Sequence, residues 1–174
     1  MAQAARFGLS LNGTPIRTLA PPGTRAVVLF FAASDCPISN RYIPELARLR
    51  QEFAGRGVKF WEVYPNPDDT AAKVERHAAQ FDDKVSVVLD TEQSLVRMAR
   101  ATVTPEAAVF LWGENDLREV YHGRIDDRYL AFGSERPHAF HHDLEDAISS
   151  ALENKPVPAP GGPPVGCAIV TRQP

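Results

Sequence analysis

Only two residues in the chain carry a thiol, Cys36 and Cys167, and a thiol attacks other groups only as its thiolate. Cys36 follows the continuous apolar run Val27-Val-Leu-Phe-Phe-Ala-Ala33 and precedes Pro37, beyond which apolar residues recur at helical spacing. An unbroken run of β-branched and aromatic residues reads as a buried parallel strand, and proline is favoured in the first turn of a helix. Cys36 is therefore expected where a strand hands the chain to a helix N-terminus. The unpaired N–H groups and positive dipole end found there favour a thiolate. Ser39 is placed to donate a hydrogen bond to the sulfur, and Arg41 adds a cation about a turn further on. Asp35 opposes both, because a neighbouring like charge disfavours the thiolate. The plain alternative is a structural thiol, since a free cysteine commonly packs as a small hydrophobe.

Three histidines, His138, His141 and His142, form a second cluster. His138 and His142 have the spacing that puts two imidazoles on one helix face, and with a thiolate nearby they would suit copper or zinc. No third ligand is evident in the sequence, so a solvated helix start is the simpler reading and no metal is assigned. Arg124, Asp126 and Asp127 either supply a cation near the thiol or pair with one another in a loop. Tyr42, Trp61 and Phe110 read as core. No glycine loop suited to cradling a phosphate is present, and no organic cofactor is implied.

The elements that must position these groups can be read in order. Two short alternating segments flank Asn12-Gly13, a hairpin signal, and Ala20-Pro-Pro-Gly23 is a loop. A strand over 26–32 leads to Cys36, followed by a helix to about Phe53 that Pro44 should kink and Gly55 and Gly57 should end. A strand over 58–64, a helix over 71–81 and a strand over 85–89 come next. Asp90-Thr-Glu-Gln93 has capping-box spacing for a helix over 94–101. Strands over 107–112 and 117–122, an ordered loop over 123–133 and a helix over 139–153 complete the pattern. Strands alternating with helices argue for an α/β domain with a mixed sheet. That domain is expected over 1–154, with 155–174 forming a Pro/Gly-rich tail that carries Cys167. Proline contributes 15 residues to the chain, many of them in that tail, and Pro156 to Pro164 can be neither helix nor central strand.

Composition narrows the function classes. A net charge of −3 with 24% charged residues offers no basic surplus for nucleic acid or an anionic membrane. The longest apolar run, 26–33, is far too short to cross a bilayer. Two cysteines make no disulfide scaffold, so a core must carry the stability. The first residues lack the apolar stretch of a signal peptide, while Ala2-Gln3-Ala4 looks like the small-x-small end of one. A cytoplasmic chain and an exported, mature one both fit.

Four features resemble the thioredoxin-like superfamily, in its redoxin branch of alkyl hydroperoxide reductase and thiol-specific antioxidant (AhpC/TSA) type domains. Phe31-x-Ala33-x-x-Cys36 looks like the family's strand end, and Pro44 matches the proline of its first helix. Thr104-Pro105 matches the cis-proline that faces the cysteine, and residues 108–123 match the closing hairpin. The string Asp35-Cys-Pro-Ile-Ser-Asn-Arg-Tyr42, with Tyr121-x-Gly-Arg-Ile-Asp-Asp127 and Gly166-Cys-x-Ile169, is similar to a bacterial redoxin-domain subgroup. The resemblance covers about residues 7–153. It implies a three-layer thioredoxin-like α/β sandwich with a mixed central sheet, an N-terminal β-hairpin and an extended C-terminal tail. It also implies that Thr104 and Pro105 contact an extended thiol partner.

The departures shape the expected function. Dithiol oxidoreductases of this fold carry a second cysteine where this chain has Ser39, so Cys36-x-x-Ser39 can form a mixed disulfide without resolving it locally. Peroxiredoxins place threonine or serine three residues before their cysteine and proline seven before; Ala33 and Leu29 stand there. A copper chaperone would need cysteine at Asn40. The leading expectation is thiol–disulfide exchange with protein thiols or disulfides through Cys36. A peroxiredoxin-like thiol peroxidase acting on peroxide, or a non-catalytic binding or metal-handling module, is the alternative. Cys167 is either a distal resolving cysteine, as in two-cysteine peroxiredoxins, acting within one chain or across a homodimer, or a tail residue packing beside Ile169 and Val170.

Overall fold

The structure, a computed structural model, describes residues 7–81, 84–114 and 116–171. The Ala2-Gln3-Ala4 reading lies outside them. The chain order is β1 (Ala26–Phe31), α1 (Pro37–Glu52), β2 (Val58–Tyr64), α2 (Ala71–Phe81), β3 (Ser86–Leu89) and α3 (Ser94–Ala99). Then follow β4 (Val103–Thr104), β5 (Glu106–Gly113), β6 (Asp116–Gly123), β7 (Tyr129–Ala131), β8 (Ser134–Glu135), α4 (Asp143–Leu152) and β9 (Cys167–Ala168). The central sheet runs β3-β2-β1-β5-β6. β3, β2 and β1 run parallel, β5 runs antiparallel to β1, and β6 antiparallel to β5, the mixed sheet expected from the alternation of strands and helices.

All six residues of β1 are buried, because both faces of this central strand are covered. Ala26, Val28 and Phe30 face the layer holding Ile38, Tyr42, Leu46 and Leu49 of α1 and Leu144, Ala147 and Ile148 of α4. Val27, Leu29 and Phe31 face the layer holding Leu95, Val96 and Ala99 of α3, Ile16 and Leu19, and Ile169 from the tail. Truncating a fully buried leucine such as Leu29 to alanine typically costs about 3 kcal/mol. β1 is thus fixed from both sides, and its C-terminal end is a rigid support for whatever follows. No described helix is long and apolar enough to cross a membrane.

Four local expectations change. The N-terminal hairpin is reduced to one bridge, Leu9 to Pro15, with Leu9 also bridging Leu89 of β3. Pro15 has no N–H with which to extend the ladder. The loop over 123–133 contains β7, which pairs with β8 in a short hairpin. α3 stops at Ala99, where Arg100 turns left-handed with φ 54°. α4 begins at Asp143 rather than Ala139, because the groups an earlier turn would need are spent elsewhere: Leu144 N–H donates to Ile125 O (3.0 Å) and His141 O accepts Asp127 N–H (3.2 Å). His138 and His142 therefore do not share a helix face.

Candidate functional site

At the end of β1 the chain turns sharply. Cys36 N–H donates to Ala33 O (3.2 Å) and Asn40 N–H to Cys36 O (3.0 Å), which makes Cys36 the N-cap residue of α1, with φ −88° and ψ 111°. Pro37 occupies the first turn, and no side chain caps the helix and no acidic residue lies in that turn. Pro44 lies within the helix, which continues past it to Glu52. Ser39 is fully buried, and its Oγ accepts the Ala33 N–H at 3.3 Å. The bond braces the strand-to-helix turn. On the other side Asp69 Oδ1 accepts both the hydroxyl and the N–H of Ser34, and Asn40 Nδ2 donates to Ser34 O at 3.3 Å. His77 Nε2 lies 2.6 Å from Asn40 Oδ1, and its Nδ1 3.0 Å from Tyr64 Oη. Burial holds the His77 imidazole below its ordinary range.

Facing Cys36 is the Thr104-Pro105 peptide, which is cis, as the resemblance implies. Thr104 is fully buried, its carbonyl oxygen 3.1 Å from Cys36 Sγ, while its hydroxyl has no hydrogen-bond partner. Glu106, immediately after the proline, sets the course of this peptide. It is 1% exposed, and its Oε2 accepts Thr102 N–H (2.8 Å) and Val103 N–H (3.2 Å). Its Oε1 lies 2.8 Å from His122 Nε2. Sequence reasoning missed Glu106. The signal was a carboxylate opening the apolar run Glu106-Ala-Ala-Val-Phe-Leu-Trp112, since a buried charge must be paired.

The structure joins Cys36 to Cys167 in a disulfide spanning 131 residues, with Cα atoms 6.1 Å apart. Cys167 reaches Cys36 by backbone pairing: β9 lies antiparallel to β4, Thr104 opposite Cys167 and Val103 opposite Ala168. Cys36 is 1% exposed, whereas Cys167 is half-buried. Cys36, Ser39, Thr104, Pro105 and Cys167, all singled out from sequence, thus converge on one place.

The remaining candidates go elsewhere. Arg124 Nε pairs with Asp143 at 3.0 Å, Asp126 accepts the Tyr42 hydroxyl at 2.5 Å, and Asp127 pairs with Arg136. This is loop ion pairing, not a cation aimed at sulfur. Burial and the Asp126 hydrogen bond both push the Tyr42 phenol up, so it stays protonated. Among the described residues His142, with Glu45 and Glu145, forms a group of ligand-type atoms within 4.8 Å. Arg48 already bonds both carboxylates.

Several known structures share this architecture. An uncharacterized conserved protein from Geobacillus kaustophilus is 25% identical, with TM-score 0.76, covering 95% of this chain and 88% of the other. A hypothetical protein from Sinorhizobium meliloti is 24% identical, with TM-score 0.77, covering 92% and 87%. A secreted Mycobacterium tuberculosis disulfide oxidoreductase is 14% identical, with TM-score 0.56, covering 87% and 99%. No curated protein matches the chain. The family model described as AhpC/TSA matches residues 2–120, a span that includes β1, Cys36, α1 and the Thr104-Pro105 peptide. With its thioredoxin-like mixed sheet, the chain belongs to the AhpC/TSA family.

Proposed function

We propose that the protein is a thiol–disulfide oxidoreductase in which Cys36 is the attacking thiol and Cys167 the resolving one. The carrying observation is the Cys36–Cys167 pair seated against Thr104-Pro105. In the reduced protein the Cys36 thiolate, favoured by the uncapped N-terminus of α1, attacks one sulfur of a partner disulfide. A mixed disulfide forms and the partner's other sulfur leaves as a thiolate. The Cys167 thiolate then attacks Cys36 Sγ, expels the partner's second thiolate, and leaves the protein oxidised as Cys36–Cys167. Two electrons pass from protein to partner, and both partner thiolates take protons from water. The reverse sequence oxidises a dithiol partner.

Recharging has a favoured direction of attack. A reducing thiol meets the half-buried Cys167 before the covered Cys36. Attack at Cys167 makes the Cys36 thiolate the leaving group, and a low-pKa thiol leaves faster. Ser39 acts as a positioning residue through its bond to Ala33, while Thr104 and Pro105 shape the surface on which the partner lies. Peroxide chemistry is the weaker reading, because Ala33 supplies no hydroxyl and Arg124 is committed to Asp143.

The test is mass spectrometry under non-reducing conditions after reduced protein meets glutathione disulfide. Wild-type protein should end as the internal disulfide without adduct, Cys167→Ser should hold a glutathione adduct on Cys36, and Cys36→Ser should hold none there. A wild-type adduct that persists at Cys36 would falsify the resolving role of Cys167.

A further inference from the structure

The tail does more than deliver a sulfur. Its backbone lies directly on the cis peptide: a Cβ added at Gly166 would sit 2.2 Å from Thr104 O and 3.0 Å from Pro105 N. After the disulfide, Ile169 N–H donates to Thr102 O at 3.0 Å, and the Ile169 side chain is 7% exposed within the apolar layer around α3. Val170 N–H donates to Asn66 Oδ1 (3.1 Å), and Gln93 Nε2 to Val170 O (2.6 Å). Main-chain pairing of this kind accepts almost any sequence. Two positions do not: the one before the cysteine, where no side chain fits, and the one two residues after it, where an aliphatic chain enters the core.

The edge of β4 can hold one strand at a time. Whatever extended segment docks there while Cys36 attacks it must take the seat now held by residues 165–170. On the thiol–disulfide reading above, we infer that the tail is a tethered stand-in for the partner. The groove accordingly selects extended peptides with glycine before the reactive cysteine and an aliphatic residue two positions after it. The tail and the partner exclude one another.

The test uses the full-length Cys167→Ser chain, alone and combined with Gly166→Val. The probes are hexapeptides whose cysteine is capped by thionitrobenzoate through a disulfide. Cys36 thiolate attacks the peptide sulfur, the Cys36–peptide disulfide forms, and thionitrobenzoate leaves as a coloured thiolate, so electrons balance without another reagent. Val-Gly-Cys-Ala-Ile-Val should react about tenfold or more faster than Val-Val-Cys-Ala-Ile-Val, because the added side chain meets backbone. It should likewise outpace Val-Gly-Cys-Ala-Ser-Val by about tenfold, through loss of the buried aliphatic group. Gly166→Val in the protein should act oppositely, speeding capture of the glycine peptide about fivefold by unseating the competing tail.

Equal rates for the three peptides in the Cys167→Ser chain overturn the inference while leaving Cys36 chemistry intact. So does a chain that releases thionitrobenzoate from its small symmetrical disulfide but from none of the peptides. Failure even with the small disulfide overturns the thiol reading itself. Should Gly166→Val prove misfolded by circular dichroism, the peptide series on Cys167→Ser alone decides.

Discussion

The N-termini of α1 and α3 are treated in opposite ways. At α3 the buried Asp90 carboxylate spans the first turn: Oδ1 accepts Ser94 N–H at 2.8 Å, and Oδ2 accepts Leu95 and Val96 N–H, each at 3.0 Å. Burial pushes the Asp90 carboxyl up while these donors pull it back. At α4 the first turn carries Asp143, Glu145 and Asp146. α1 has neither a side-chain cap nor an acidic residue in its first turn, and the residue in the capping position is Cys36. Two helix ends are neutralised by carboxylates within the chain's local sequence, and at α2, which has no acid in its first turn, the Thr70 hydroxyl accepts Lys73 N–H at 3.3 Å. The N-terminus of α1 is left for a sulfur, and what closes over it comes from a tail more than a hundred residues away.

Cutting that remote closure should have the largest effect. A cross-link spanning 131 residues restricts the unfolded chain by about 5 kcal/mol in the loop-entropy model. Urea unfolding of oxidised protein against reduced or Cys167→Ser protein should show a loss approaching that figure. A loss under about 1 kcal/mol would mean that the tail contributes no such restriction. Next in size is Asp90→Ala, which strips the acceptor from three N–H groups in a buried setting and should cost about 2–3 kcal/mol. The same variant should leave the titration of Cys36 where it was. A shift there would end the contrast between a structural helix end and a chemical one.

The smallest effects test the contrast most directly, by alkylating the single thiol of Cys167→Ser with iodoacetamide across pH. The midpoint is expected below the ~8.5 of an ordinary cysteine. Pro37→Glu, at an exposed first-turn position, gives α1 the acid that α4 already has and should raise that midpoint by about half a pH unit. Asp35→Asn removes an exposed neighbouring charge and should lower it by a few tenths. Unmoved midpoints in both variants would separate the thiol from the helix field.

Much of this was legible because it is local. The run 27–33, Cys36 and Pro37 carry the strand-to-helix junction in their own order, and Thr104-Pro105 marks the facing peptide. The illegible parts depend on remote partners. Nothing near Ala139 announces that Ile125 will claim the N–H of Leu144 and Asp127 the carbonyl of His141 and delay α4. Gly166 looks like one more flexible residue in a Pro/Gly tail, and only the approach to Thr104 O reveals why a side chain is excluded. Ser39, read as a donor to sulfur, accepts from Ala33 because the turn folds its N–H onto the hydroxyl. Cys167 is the mixed case: its place on a Pro/Gly-rich tail and a distal resolving role were readable, but its seat opposite Thr104 was not.

The stretch from Pro156 to Pro164 has one more consequence. A proline-rich segment extends about 3.1 Å per residue and keeps some stiffness, so when β9 lifts off, Cys167 stays within roughly 45 Å of the end of α4. A thiol confined to that volume has an effective concentration in the millimolar range. In the reduced protein, reseating of the tail on β4 is then a unimolecular event, indifferent to dilution, while capture of a partner scales with how much partner is present. The ratio of the two rates makes the tether a threshold: when partners are scarce the tail occupies the groove, and when they are abundant they find it open first.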